Sequence, residues 1–145
     1  MSPAARPVQG LWFEGQPLGA AGAKAVAASP AVGGLQRLDL GGCGVGDTGA
    51  RALGYSRQLG SLSVLDLSNN GVGEEGLRTL SQGAVARGLR ELDLGGNNIG
   101  DRGAAVLIAA PDLAGLERLV VDRVGLSADS LAGLQERFGG ALDLR

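Results

Sequence analysis

The chain has 145 residues, about the commonest size of a single domain, and its 13 basic and 15 acidic residues nearly cancel. That balance, with no Arg/Lys-rich run and aromatics at only 3%, excludes a strongly electrostatic nucleic-acid or membrane binder. There is no histidine and a single cysteine, Cys43, which removes His-based acid/base catalysis, Cys/His zinc sites and any intrachain disulfide.

The opening MSPAARPVQG has no apolar run of signal-peptide length behind it, and the Ala-rich stretch at 20–28 is broken by Lys24. No segment approaches the roughly 18 uninterrupted apolar residues of a membrane span. The expectation is a soluble, cytoplasmic protein with no cofactor, no metal, and neither membrane nor nucleic acid as partner.

From Leu11 onward the chain repeats itself. Leu11-Trp12-Phe13, Leu38-Asp39-Leu40, Leu65-Asp66-Leu67, Leu92-Asp93-Leu94 and Leu119-Val120-Val121 follow one another at intervals of 27 residues. A fixed period of that size marks stacked units, each burying its apolar face against its neighbours. Units begin near residues 8, 35, 62, 89 and 116, and a shortened interval leads to a terminal strand at 141–144. All of 1–145 is read as one domain.

Each unit opens as a strand. In the second, Leu38 and Leu40 point to one side while Arg37, Asp39 and Gly41 point to the other. A turn follows, with Asn70 and Asn97 at one repeat position and Gln16 and Cys43 in their place in the first two units. Such a side chain can satisfy backbone groups freed at a strand end, and stacked copies would form a ladder. A glycine-led helix comes next. In the fourth unit Gly103, Ala104, Val106, Leu107 and Ala110 form its apolar side, behind Asp101 at the N-terminus. Asp47, Glu74 and Glu75 take equivalent places. Gly22, Gly49, Gly76 and Gly103 are expected where helix meets strand layer, and Pro30 and Pro111 near helix ends. Phe138 is expected to fold over the end of the core.

Strands that each return through a helix must be parallel neighbours. The pattern L-x-x-L-x-L-x-x-N/C-x-L-G-x-x-G resembles the leucine-rich repeat, and the repeat length with a helical second half resembles its ribonuclease-inhibitor-like subtype. The resemblance implies an α/β solenoid, a curved horseshoe segment with parallel strands on the concave side and helices on the convex side. About five repeats plus a final strand are expected. The Gly/Ala-rich, Arg-biased wording is also similar to bacterial arrays.

GVGDTG at 44–49 matches a dinucleotide-binding G-x-G-x-x-G after a strand. GVGEEG at 71–76 matches it again one repeat later, so the string is a repeat turn, and its acids would repel a pyrophosphate.

On the exposed strand face, neighbouring strands about 4.8 Å apart should set Asp39, Asp66 and Asp93 in a row. Like charges so close resist full ionisation, and the central Asp66 is expected to be the hardest to ionise. Small residues at Gly41, Ser68 and Gly95 should leave the floor open. Trp12 could anchor a partner or cover the first edge. Arg37, Glu91 and Arg118 complete the candidate partner-binding set. An open row lacks the enclosed pocket that paired catalytic carboxylates need, so no catalytic residues are expected. The functional expectation is a non-enzymatic module binding a partner protein on the concave face, where a basic partner would relieve the carboxylate repulsion. The alternatives are a structural or self-associating segment using its end strands, or a fragment of a larger regulatory leucine-rich-repeat protein.

Overall fold

The computed structural model describes residues 8–145; the first seven residues of the expected domain lie outside the description. Six short strands form one parallel sheet in sequence order. They are β1 (Gly10–Trp12), β2 (Arg37–Asp39), β3 (Val64–Asp66), β4 (Glu91–Asp93), β5 (Arg118–Val121) and β6 (Leu142–Leu144). Five helices connect them: α1 (Gly19–Ala28), α2 (Gly46–Gly54), α3 (Glu74–Gln82), α4 (Gly100–Ala109) and α5 (Ala128–Phe138). Register follows the repeat, with Leu11, Leu38, Leu65, Leu92 and Leu119 opposite one another and Leu119 opposite Leu142. The terminal strand starts at Leu142 because Ala141 still belongs to a 3-10 turn, Gly139–Ala141.

The core lies between sheet and helices. Leu38, Leu40, Leu65, Leu67, Leu92 and Leu94 meet Leu53, Leu80 and Leu107 from the helices, all essentially inaccessible. Fully burying each such side chain contributes about 1.5–3 kcal/mol, so the repeated leucines supply most of the driving force. Phe138 packs against the end of this core, as the sequence suggested. The apolar side of α4 also follows expectation: Gly103, Ala104, Leu107 and Ala110 are buried and Val106 half-buried.

The asparagine ladder forms. Asn70 Oδ1 accepts the amides of Cys43 and Val45, both at 3.0 Å, and its Nδ2 donates to the carbonyls of Leu40 (2.8 Å) and Ser68 (3.0 Å). Asn97 repeats this one unit on, accepting from Asn70 (2.9 Å) and Val72 (3.0 Å) and donating to the Leu67 carbonyl (2.8 Å). Each buried amide thus satisfies backbone groups of its own and the preceding repeat. Cys43 fills the slot with a thiol that donates to the Phe13 carbonyl at 3.0 Å. Burial pushes that thiol above its ordinary pKa, which suits a structural role rather than a reactive one.

Two expectations need correction. The recurrent helix glycines do not face the strand layer. A Cβ on Gly49 would press on Val45 and on Ala23 of α1, and one on Gly103 on Ile99 and on Leu77 of α3. They let neighbouring helices and the helix's own first turn come close. The acidic residues, in turn, do not cap their own helices. Asp47 Oδ1 accepts the amides of Gly73 (2.7 Å) and Gly76 (3.0 Å) at the start of α3, and Asp101 Oδ1 accepts that of Ser127 (2.8 Å) before α5. Each carboxylate caps the helix of the following repeat, so a local signal in the sequence works as a joint between units. The short 3-10 turns Pro30–Val32, Ala86–Gly88 and Pro111–Leu113 were not expected; Pro30 and Pro111 open two of them.

Candidate functional site: the strand face

Asp39, Asp66 and Asp93 lie directly opposite one another in the sheet. The sequence puts them there because each follows the first buried leucine of its strand and so points away from the core. All three are half-buried. Each also uses one oxygen locally: Oδ1 accepts the amide two residues on, at Gly41 (3.0 Å), Ser68 (2.8 Å) and Gly95 (2.9 Å). The aspartates therefore close their own strand ends and hold charge on the face at once.

That geometry corrects the expected open floor. Gly41 and Gly95 are buried, and a Cβ on Gly41 would come within 3.0 Å of Ser68 Oγ and 3.3 Å of Asp39 Oδ1. Small residues there make room for the carboxylates, not for a ligand.

Asp93, at the end of the row, has its carboxyl raised above the ordinary range. Desolvation is the main cause, and the charge of Asp66 adds to it. The amide of Gly95 and, more remotely, Arg145 and Arg118 oppose the shift. Next to Asp93 the aspartate row gives way to Val120, which is buried although it points to the strand face. The sequence showed an Asp-to-Val change there, and that apolar neighbour is the signal that could have located the shifted carboxyl.

The other candidates fall into two groups. Arg37, Glu91 and Arg118 line one shallow depression of about 80 Å³ together with Asp66 and Asp93. Arg118 also reaches Asp143 on β6 at 3.1 Å, and Arg145 contacts the same carboxylate at 3.7 Å. Trp12 and Asp39 stand outside that depression. Trp12 is 61% exposed, and its indole lies back over Gly10 of the same strand, where only a missing Cβ leaves room. The Asp143 cluster was not among the residues singled out, because it depends on β6 pairing across the shortened interval.

The glycine-rich strings are turns. In GVGEEG the amides of Gly73 and Gly76, which would face a phosphate, are already occupied by Asp47. Among the described residues no three His, Cys, Asp or Glu side chains converge to hold a metal ion. No helix among them is long and apolar enough to cross a membrane.

A family model described as Leucine Rich repeat matches residues 35–54, 61–81 and 87–107. The chain is a leucine-rich-repeat protein over these three repeats, of the ribonuclease-inhibitor-like subtype, and its sheet and alternating helices are those of a solenoid segment. The first and fifth units lie outside the matched stretches yet keep their strands in the same sheet. No curated protein matched the chain. Leucine-rich-repeat domains are typically protein-interaction modules and usually non-catalytic.

Proposed function

We propose that this is a non-enzymatic module that binds a partner protein on its strand face. The observation that supports it most is the in-register row Asp39, Asp66 and Asp93. One oxygen of each serves the backbone, so the charge stays fixed in place, while the second oxygen makes no hydrogen bond among the described residues. Arg37, Glu91 and Arg118 flank the row, and Trp12 stands exposed on the first strand. A basic segment would relieve the crowding of the carboxylates, and an exposed indole offers the kind of anchor common at binding hot spots. The depression on this face, at about 80 Å³, is too small to hold a substrate between two separate carboxyl environments, as acid/base chemistry needs.

A second reading has its own support. The same hydrogen bonds to Gly41, Ser68 and Gly95 give the aspartates a purely architectural task in a structural segment. The triple variant Asp39→Asn/Asp66→Asn/Asp93→Asn separates the two, because Asn keeps the Oδ1 acceptor and removes the charge. In capture from source-cell lysate, a protein held by wild type and lost by the folded triple variant is the expected result. Equal capture by both would leave the row with its architectural role alone.

A further inference from the structure

The helix face carries a charge pattern of its own. Lys24, Arg51 and Arg78 occupy one repeat position, 27 residues apart, on α1, α2 and α3. Only Arg78 finds carboxylates in its own helix, Glu74 (2.5 Å) and Glu75 (2.8 Å). The matching places before Lys24 hold Ala20 and Ala21. Those before Arg51 hold Asp47, already committed to the amides of α3, and Thr48. Among the described residues Lys24, Arg51 and Arg57 make no ion pair.

The loop after α2 adds to this. The other units from the first to the fourth follow their helix with a 3-10 turn; the second has a loop built on Ser56 instead. The buried Ser56 hydroxyl donates to the Ala27 carbonyl at 2.6 Å and accepts from the amides of Gln58 (3.2 Å) and Leu59 (3.3 Å). With Ser56 held inward, Tyr55 and Arg57 on either side of it are turned out to solvent. The Arg51 guanidinium stands 6.0 Å from the Tyr55 ring centroid. The result is a cleft of about 510 Å³ with Ala27, Ala28 and Ala52 among its lining, edged by Lys24, Tyr55 and Arg57, and lined by no carboxylate.

We propose that this α1/α2 cleft docks an acidic segment of a partner protein, Lys24 and Arg57 pairing with its carboxylates and Tyr55 packing on it. Charge complementarity selects the occupant: two cations without acidic neighbours in the cleft favour carboxylates and disfavour a basic chain. Tyr55 supplies a rigid, amphipathic contact at little entropic cost. A nucleic acid would need a longer cationic track, whereas the next helix along presents Glu74 and Glu75. The cleft is on the opposite side of the sheet from the aspartate row, and the proposal stands independently of the strand-face reading.

The test uses a fluorescein-labelled Ala/Glu decapeptide, an Ala/Lys decapeptide and a single-stranded RNA of equal charge, read by anisotropy and by amide NMR shifts. Saturable binding of the Ala/Glu peptide is expected, with shifts at Lys24, Tyr55 and Arg57, weakening as salt rises. Lys24→Glu/Arg57→Glu should lose about tenfold in affinity and Tyr55→Ala about threefold, with unchanged melting temperature. The Asp39→Asn/Asp66→Asn/Asp93→Asn variant should bind the peptide as wild type does. No saturable binding, shifts centred elsewhere, undiminished affinity in the double variant, or preference for the RNA would each overturn the proposal. So would self-association of wild type lost in the double variant, because the cleft would then belong to a second copy.

Discussion

The four seams between neighbouring helices meet the same problem at one repeat position and solve it differently. Between α1 and α2, Ser56 donates to the Ala27 carbonyl. Between α2 and α3 there is no side chain at all: Gly83 lies on the Gly54 carbonyl so closely that a Cβ would overlap it. Between α4 and α5, Arg137 holds the place of Ser56 and Gly83 but reaches two residues past the equivalent carbonyl, to that of Ala110 at 2.7 Å. At the α3/α4 seam the pair is Ala110 and Ser81, neither of them glycine, and Ser81 turns its hydroxyl back to the Arg78 carbonyl of its own helix. That seam opens into a groove of about 620 Å³ lined by residues including Ser81, Ala105, Val106, Ala109 and Ala110.

The caps differ in the same sense. Asp47 reaches across the α2/α3 seam to two amides, while its equivalent, Glu74, is longer and turns to Arg78 and, at 3.8 Å, to Arg102. The tight seam has both a glycine pressed on the neighbouring backbone and a cross-repeat cap; the open seam has no such cap, and its glycine, Gly103, meets only the Leu77 side chain across it. Repeats identical in period are therefore unequal in how firmly they are joined.

The largest expected effect comes from giving the tight seam the residues of the open one. Gly83→Ala places a methyl against the Gly54 carbonyl, and Gly54→Ser places a Cβ 2.7 Å from Leu80 Cα and 2.8 Å from the Thr79 carbonyl. Each should cost about 3 kcal/mol or more by urea denaturation. The double variant should cost less than the sum, since a seam forced apart once accommodates the second side chain. Strict additivity would break the comparison. The reverse change, Ala110→Gly, should cost only about 1 kcal/mol.

Next is Asn97→Ala, which strips buried amides and carbonyls of two repeats of their partners, Asn70, Val72 and Leu67 in the third and Leu94 in the fourth; about 3 kcal/mol is expected. The loss should appear in hydrogen exchange at Asn70 and Val72, and exchange confined to the fourth repeat would contradict a ladder that joins units.

Asp47→Ala should cost about 1 kcal/mol and Glu74→Ala less, because only Asp47 caps backbone amides. Equal losses would mean that the caps do not distinguish the seams.

The smallest effect concerns pH. Asp93 is raised in the folded protein, so its favourable contribution belongs to the protonated form and is lost as pH rises through the folded value. Asp93→Asn should therefore raise stability slightly at pH 7, by less than about 1 kcal/mol given solvent screening, and the gain should vanish below the ordinary Asp pKa of about 3.9. Asp101 behaves oppositely. The amide of Ser127 is the main cause of its lowered pKa, so its contribution is present at neutral pH and fades as pH falls through that lowered value. Thermal melts of Asp93→Asn and Asp101→Asn from pH 3 to 7 should diverge in sign at neutral pH.

The fold was legible in the sequence because its determinants are periodic. Leu38 and Leu40 recur as Leu65 and Leu67 and as Leu92 and Leu94, and strands that alternate sides bury them the same way each time. The aspartate row follows from the same register, as does the asparagine ladder with Cys43 standing in. What the period could not convey is which partner lies across a seam. Asp47 and Asp101 read as caps of their own helices, and only stacking shows that their carboxylates reach the next repeat. Gly49 and Gly103 read as contacts to the strands, and only the helix spacing shows the neighbouring helix against them. The shifted carboxyl at Asp93 depends on how far packing desolvates it, next to the buried Val120, and the exposed Tyr55 and Arg57 depend on Ser56 turning inward. Period and residue type determined the solenoid and its register, since each is a short-range rule repeated. Tertiary structure decided the joints, the open seam and the cationic cleft, since each depends on distances between residues 25 to 29 apart in the chain.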